Sequence, residues 1–298
     1  MMNNIGLILF DIDGVIRDVT NSYRLAIQET VNFFSGWRPS IEDIDSIKSE
    51  GCWNNDWDLS LEMINRHVQK NNLSFSAPSR KILIECFENF YFGGDPNHDS
   101  SEWSGFIKDE TLLVKQTFFE ELTQRRIGWG FVSGAELPSA KFVLEQRLGL
   151  ASAPLIAMGE APEKPDPTGF ISLSSKLSKK PLGFSNPPIA YIGDTVADVK
   201  TVINARIKIP DQKFISLAIA PPHLHVDSSR EKRLRYEAEL KKAGADLIIK
   251  SMDNLKNETL NLFINEGKVK FLRKKCRASP ADKDLPSGGC PDGTQFTK

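Results

Sequence analysis

Phe10-Asp11-Ile12-Asp13-Gly14-Val15 follows directly on an apolar run at residues 5–10. A run this short predicts a buried strand. The pleat of a strand sends alternate side chains to opposite faces, so Asp11 and Asp13 leave its carboxyl end on one side and Ile12 on the other. Carboxylates held that close are costly unless a cation or a proton separates them. A surface turn is the plain alternative, because D-x-D-G is a common loop composition. A calcium loop fits less well, since no bidentate Glu follows at the required position.

Working outward, the apolar run at 189–192 leads into Gly193-Asp194-Thr195-Val196-Ala197-Asp198. Asp194 falls at a predicted strand end and Asp198 about one helical turn later. Either these carboxylates face a ligand, or Asp194 or Thr195 merely caps the helix. Ser133-Gly134 closes a third run, 127–132, before a helix starting near Leu137. A hydroxyl and free amides at a helix start make a phosphate cradle, and an N-cap or turn is the alternative. Lys164 lies in Glu163-Lys164-Pro165-Asp166-Pro167, where the prolines stiffen a short loop and could aim the ammonium. It reads equally as a solvated loop lysine.

Further apolar runs at 154–158, 214–220 and 246–249 add three strands. Helical spacing at 113–125, 137–148, 196–205 and 230–242 alternates with the strands. The alternation predicts an α/β fold, a Rossmann-like parallel sheet covered by helices on both faces. Residues 19–108 break the rhythm with helix-like patterns at 23–34, 59–70 and 80–91. The expected organisation is a core of 1–18 and 109–272 with an inserted helical domain at 19–108. That insertion follows the first strand and overhangs the carboxyl ends, where open α/β sheets place their ligands. Residues 273–298 are rich in Lys, Pro, Gly, Ser and Asp and read as a mobile tail.

Lys and Arg total 38 against 39 Asp and Glu, a formal charge of -1 that gives no general attraction to nucleic acid or acidic membranes. Cys52, Cys86, Cys276 and Cys290 are widely spaced and read as free thiols in a reducing compartment. No signal peptide and no membrane span is expected, so a cytoplasmic location is. His67, His98, His223 and His225 are scattered, and the last two alone do not make a metal site.

The four pieces, taken in chain order as D-x-D-G, Ser133, Lys164 and Gly193–Asp198 and lying at strand ends or in the loop after one, resemble the haloacid dehalogenase superfamily over about residues 5–253. The helical insertion is similar to the cap of subfamily IA, the phosphoglycolate-phosphatase-like branch that also holds β-phosphoglucomutase and the dehalogenases. Asp18, seven positions after Asp11, fits that branch, whereas Arg17 replaces the apolar or small residue usual there. The resemblance implies a phosphoric monoester hydrolase with Mg²⁺ as cofactor. Asp11 would be the nucleophile that carries an aspartyl-phosphate, and Asp13 the general acid and base. Asp11, the Asp13 carbonyl and Asp194 would hold the metal. Ser133, Gly134 and Lys164 would hold the phosphate, with Asp198 orienting Lys164 or a metal-bound water. An Asp at position 13 separates phosphatases from dehalogenases, because halide leaves without a proton.

Substrate choice is expected in the insertion. Gly51-Cys52-Trp53-Asn54-Asn55-Asp56-Trp57 joins two indoles to amides and a carboxylate. Trp53, Asn54, Asn55 and Trp57 therefore read as pocket residues, or the indoles as packing and Asp56 as an N-cap. Arg17 and Arg24 are further candidates for an anionic substrate. The expected partner is a small phosphorylated metabolite, with the chain a monomer or homodimer. A phosphomutase of the same superfamily and a catalytically silent binding protein are the rivals.

Overall fold

The computed structural model describes residues 4–48, 50, 53, 55–253 and 255. Its frame is a six-stranded sheet of β1 (Gly6–Phe10), β4 (Ile127–Val132), β5 (Leu155–Ile156), β6 (Ile189–Gly193), β7 (Phe214–Ile219) and β8 (Leu247–Ile249). Every pairing in it is parallel, in the order β5-β4-β1-β6-β7-β8. The chain builds outward from β1 through β4 and β5, then returns to build β6, β7 and β8 on the other side. The reversal lies between β1 and β6, the crevice in which doubly wound sheets bind ligands.

The α/β fold with a Rossmann-like parallel sheet is thus present, and every apolar run read as a strand is one, though 154–158 contributes only Leu155–Ile156. Strand alternation sorts the core into two layers. Leu7, Leu9, Ile189 and Tyr191 pack on one face with Phe170, Val202 and Ala205. Those three come from α7 (Thr168–Ser178) and α8 (Val196–Lys208). Ile8, Phe10, Ala190 and Ile192 pack on the other face with Phe118 and Phe119 of α5 (Gln116–Gln124). Predicted helix 113–125 starts late because the Leu113 amide instead donates to the Ile16 carbonyl at 2.8 Å. Predicted helix 137–148 splits into α6 (Leu137–Lys141) and a wider turn over Phe142–Arg147. There the Leu148 amide reaches back five residues to the Val143 carbonyl at 3.0 Å. Helix α9 (Arg230–Ala243) stands beside α8.

Between β1 and β4 lie four further helices, α1 (Tyr23–Ser35), α2 (Ile41–Lys48), α3 (Asp56–Lys70) and α4 (Arg80–Tyr91). In α1 the buried residues Tyr23, Ala26, Ile27, Thr30 and Val31 recur at helical spacing and seat it on α3 and α4. The segments leading into and out of this set are joined as a two-stranded antiparallel ribbon. It pairs β2 (Arg17–Asp18) with β3 (Thr111–Leu112).

No helix among the described residues is long and apolar enough to cross a membrane. Among the four cysteines Cys86 is a free thiol, while Cys52, Cys276 and Cys290 lie outside the described residues, as does the tail 273–298.

Phe119 meets Phe10, Trp129 and Phe131 at ring-centroid distances of 5.7, 5.0 and 5.5 Å. Phe119→Ala is expected to lower unfolding free energy by about 3–5 kcal/mol, read as a shift of the urea midpoint at unchanged m-value.

Candidate active site

Asp11, Ser133 and Asp194 stand just beyond the carboxyl ends of three adjacent strands. Phe10 pairs with Phe131 on one side and Ile192 on the other, so the residues after them converge on one spot. Asp11 is buried, its amide donates to the Ile192 carbonyl at 2.8 Å, and its Oδ1 accepts from the Ile12 amide at 2.8 Å.

Two glycines make the crowding possible. Gly14 has φ +74°, and a Cβ there would lie 2.1 Å from Asp194 Oδ2. A Cβ on Gly193 would lie 2.3 Å from the Asp198 Cβ. Gly14 therefore lies directly against the Asp194 side chain and Gly193 against that of Asp198, where a larger residue would collide.

Lys164 enters this cluster as its cation. Its Nζ lies 2.9 Å from Asp11 Oδ2 and 2.6 Å from Asp198 Oδ1. Asp198 Oδ2 accepts from the Thr195 hydroxyl at 2.6 Å and amide at 3.0 Å, while Thr195 Oγ1 accepts from the Asp198 amide at 3.3 Å. That capping box opens α8 and fixes the carboxylate that fixes the lysine. Tyr191, which sequence reasoning missed, donates to the Val132 carbonyl at 2.7 Å and lies 3.4 Å from Lys164 Nζ. A lone tyrosine in an aliphatic strand was the available signal. Tyr236 of α9, also missed, donates to the Asp194 carbonyl at 2.9 Å.

Carboxylate oxygens of Asp11, Asp194 and Asp198 lie within 4.8 Å of one another. One ammonium does not neutralise three carboxylates. Burial, partly opposed by Lys164 and reinforced by Asp198 and Asp13, pushes Asp11 from 3.8 up to about 7. Burial, with Asp198 and Asp11, pushes Asp194 well above its ordinary value. For Asp198 burial acts in the same sense, but Lys164 and Thr195 outweigh it and hold the group low. A proton on Asp11 or Asp194 is standing in for missing positive charge, so the donor set fits a divalent cation. Asp198 already accepts from Lys164 and from the Thr195 hydroxyl and amide, with the Tyr191 hydroxyl 3.2 Å away, whereas among the described residues Asp11 is met only by the Ile12 amide and Lys164, so Asp11 and Asp194 are the carboxylates with lone pairs left for it.

Ser133 is buried and its Oγ accepts from the Ala135 amide at 3.1 Å. Gly134 is exposed, with open space where a side chain would be. Asp13 is half-buried and paired with Arg17, its Oδ1 2.7 Å from the arginine Nε.

The residues singled out in and beside the insertion are engaged in hydrogen bonds, ion pairs and packing of their own. Arg17 is fully buried with its donors on Asp13, Glu110 and Ser139, which corrects the expectation that it meets substrate. Arg24 is paired with Asp45 at 2.5 Å, and His223 meets the same carboxylate at 3.5 Å. Asn55, not Asp56, caps α3, accepting from the Trp57 and Asp58 amides at 3.0 and 3.2 Å. Asp56 pairs with Lys48 at 2.5 Å. Trp53 donates to Glu50 at 2.9 Å and Trp57 lies beneath Arg80, both partly buried against the core. Asn54 lies outside the described residues.

The model of the haloacid dehalogenase-like hydrolases matches residues 5–206, more than half of the chain and all four motifs. This chain belongs to that family. Solved structures share the hydrolase's fold at low identity. A phosphonoacetaldehyde hydrolase like protein from Oleispira antarctica aligns at TM-score 0.60 and 13% identity, covering 88% of this chain and 95% of that one. CbbY from Rhodobacter sphaeroides, solved in complex with phosphate, aligns at 0.57 and 14%, covering 84% and 95%. Phosphatase Tt82 from Thermococcus thioreducens aligns at 0.54 and 22%, covering 79% and 99%. A curated relative from Phytophthora nicotianae, named imidazoleglycerol-phosphate dehydratase, is 32% identical over 201 residues, 67% of this chain. The chain spans 41% of that relative's length.

Because the folded protein keeps a proton on Asp11 that the unfolded chain sheds near 3.8, metal-free stability should fall as pH rises from there through about 7. Mg²⁺ is expected to raise Tm more at about pH 8 than at about pH 5.5, since it competes with that proton. Gly14→Ala, which displaces Asp194, should abolish most of the rise; an equal rise in both proteins would remove Asp194 from the metal set.

Proposed function

We propose that this hydrolase is a Mg²⁺-dependent phosphatase that cleaves a small phosphorylated metabolite through a phosphoryl group carried on Asp11. The observation that carries the reading is a buried carboxylate, 2.9 Å from a lysine ammonium, at the meeting point of three strand ends. The Asp11 and Asp194 carboxylates and the Asp13 carbonyl would hold Mg²⁺, which would supply the charge that lets an anionic nucleophile approach a phosphate.

Asp11 attacks phosphorus as the bond to the alcohol oxygen breaks, and Asp13 gives that oxygen its proton. Asp13 then takes a proton from the water that attacks phosphorus, and the bond to Asp11 breaks to release phosphate. Lys164, the Ser133 hydroxyl and the Gly134 amide hold the non-bridging oxygens as charge spreads over them. Asp198, 2.6 Å from Lys164, keeps the ammonium aimed. Residues 1–18 and 109–272 form the catalytic core in this reading, and 19–108 a cap that governs substrate access.

The test is phosphate release from a panel of phosphorylated metabolites and p-nitrophenyl phosphate, with Mg²⁺ or EDTA. The curated relative's name refers to an imidazoleglycerol phosphate, so imidazole-bearing phosphomonoesters belong in the panel. Release should need Mg²⁺, and Asp11→Asn should fold normally while losing at least about 10⁴-fold in kcat. Isomerisation of a sugar phosphate without phosphate release would favour a mutase, and Asp11→Asn at near wild-type rate would reject Asp11 as nucleophile.

A further inference from the structure

Arg17 is the largest fully buried side chain of the described residues, and it carries a charge. Burying a guanidinium is costly unless every donor is used and the charge is paired. Here NH1 donates to Glu110 Oε2 and NH2 to Ser139 Oγ, both at 2.8 Å, and Nε donates to Asp13 Oδ1 at 2.7 Å.

The first two anchors belong to a closed ring. Tyr91 has one proton and lies 3.0 Å from Glu110 Oε1, a carboxylate oxygen that can only accept, so its hydroxyl donates there. Its oxygen then accepts from Ser139, 2.8 Å away. Ser139 in turn accepts from Arg17, and Tyr23 approaches the same oxygen at 3.4 Å. Ser22 fills the remaining place on Glu110 Oε1 at 2.7 Å. In this assignment each nitrogen of the Arg17 guanidinium, both Glu110 oxygens and the Tyr91 and Ser139 hydroxyls have a partner, and the side chains of Arg17 and Glu110 are wholly buried.

A guanidinium is planar, so fixing two of its nitrogens fixes the direction of the third. The Nε–H of Arg17 is aimed by buried anchors, and the carboxyl it meets is 28% exposed. We propose that Arg17 is a positioning residue for Asp13: it holds Oδ1 so that the other oxygen faces the leaving group. The ring is built from the chain leaving and re-entering the helical insertion, together with α1, α4 and α6, so the aim of Asp13 depends on how those helices seat. This rests on Asp13 being the general acid, as proposed above.

The test compares leaving groups. Alkoxide needs a proton to depart and p-nitrophenolate does not, and kcat/KM reports only the steps through alcohol loss. In Arg17→Gln, kcat/KM for the alkyl phosphate that wild type hydrolyses fastest is expected to fall about 100-fold, the cost of a misplaced catalytic group, while that for p-nitrophenyl phosphate falls only about threefold. Equal falls, or none, overturn the proposal, since a merely structural arginine lowers both alike. Should Arg17→Gln lack a cooperative melt, Ser139→Ala, which removes one anchor and leaves Arg17 and Asp13 in place, is expected to show the same unequal fall, and equal effects again overturn it. Asp13→Ala separates the two claims. If it shows the split and the anchor variants do not, only the positioning role fails; if it shows none, the acid role fails and the positioning role with it.

Discussion

Lys164 is the cation on which the site depends. Three parallel strands deliver carboxylates to one place, two glycines let them approach, and one ammonium stands between Asp11 and Asp198. Without it Asp198 would be a buried anion with no counter-charge, and burial would push the Asp11 carboxyl higher still. The capping box that anchors Asp198 also starts α8, so a local helix signal and the carboxylate that holds Lys164 share the same residues.

The arrangement is deliberately short of positive charge. Burial and the neighbouring carboxylates push Asp11 to about 7 and Asp194 upward, a strain that further positive charge would relieve. Stability is given up at the strand ends and recovered in the two apolar layers beneath them, where side chains such as Phe10, Phe131 and Tyr191 are almost wholly buried. The ring through Arg17 repeats the theme one shell further out, with a buried charge retained where an apolar residue would pack more cheaply.

The strands were legible because each is a short apolar run, and their ends because carboxylate, hydroxyl and glycine follow directly. Helix α2 was not, since Ile44 is its single buried residue and leaves no stripe to read. Helix α7 hides its buried face among serines. Local sequence showed that Arg17 was charged, and the resemblance that its place is usually apolar or small, but its partners Glu110 and Ser139 lie 93 and 122 positions away. A contact at that separation leaves no trace in spacing or periodicity, which is why Arg17 read as a substrate contact. Lys164 could be singled out by its stiff, proline-flanked loop, but nothing in that loop says which carboxylates it will meet.

The most direct test of the account is covalent. Wild type would be mixed with phosphate-labelled substrate and Mg²⁺, quenched in acid within a turnover, and the labelled peptide identified by mass spectrometry. A hydroxylamine-sensitive phosphoryl group on the peptide containing Asp11 is the predicted result. Label on any other residue, or rapid phosphate release with no labelled enzyme at any quench time, would contradict it.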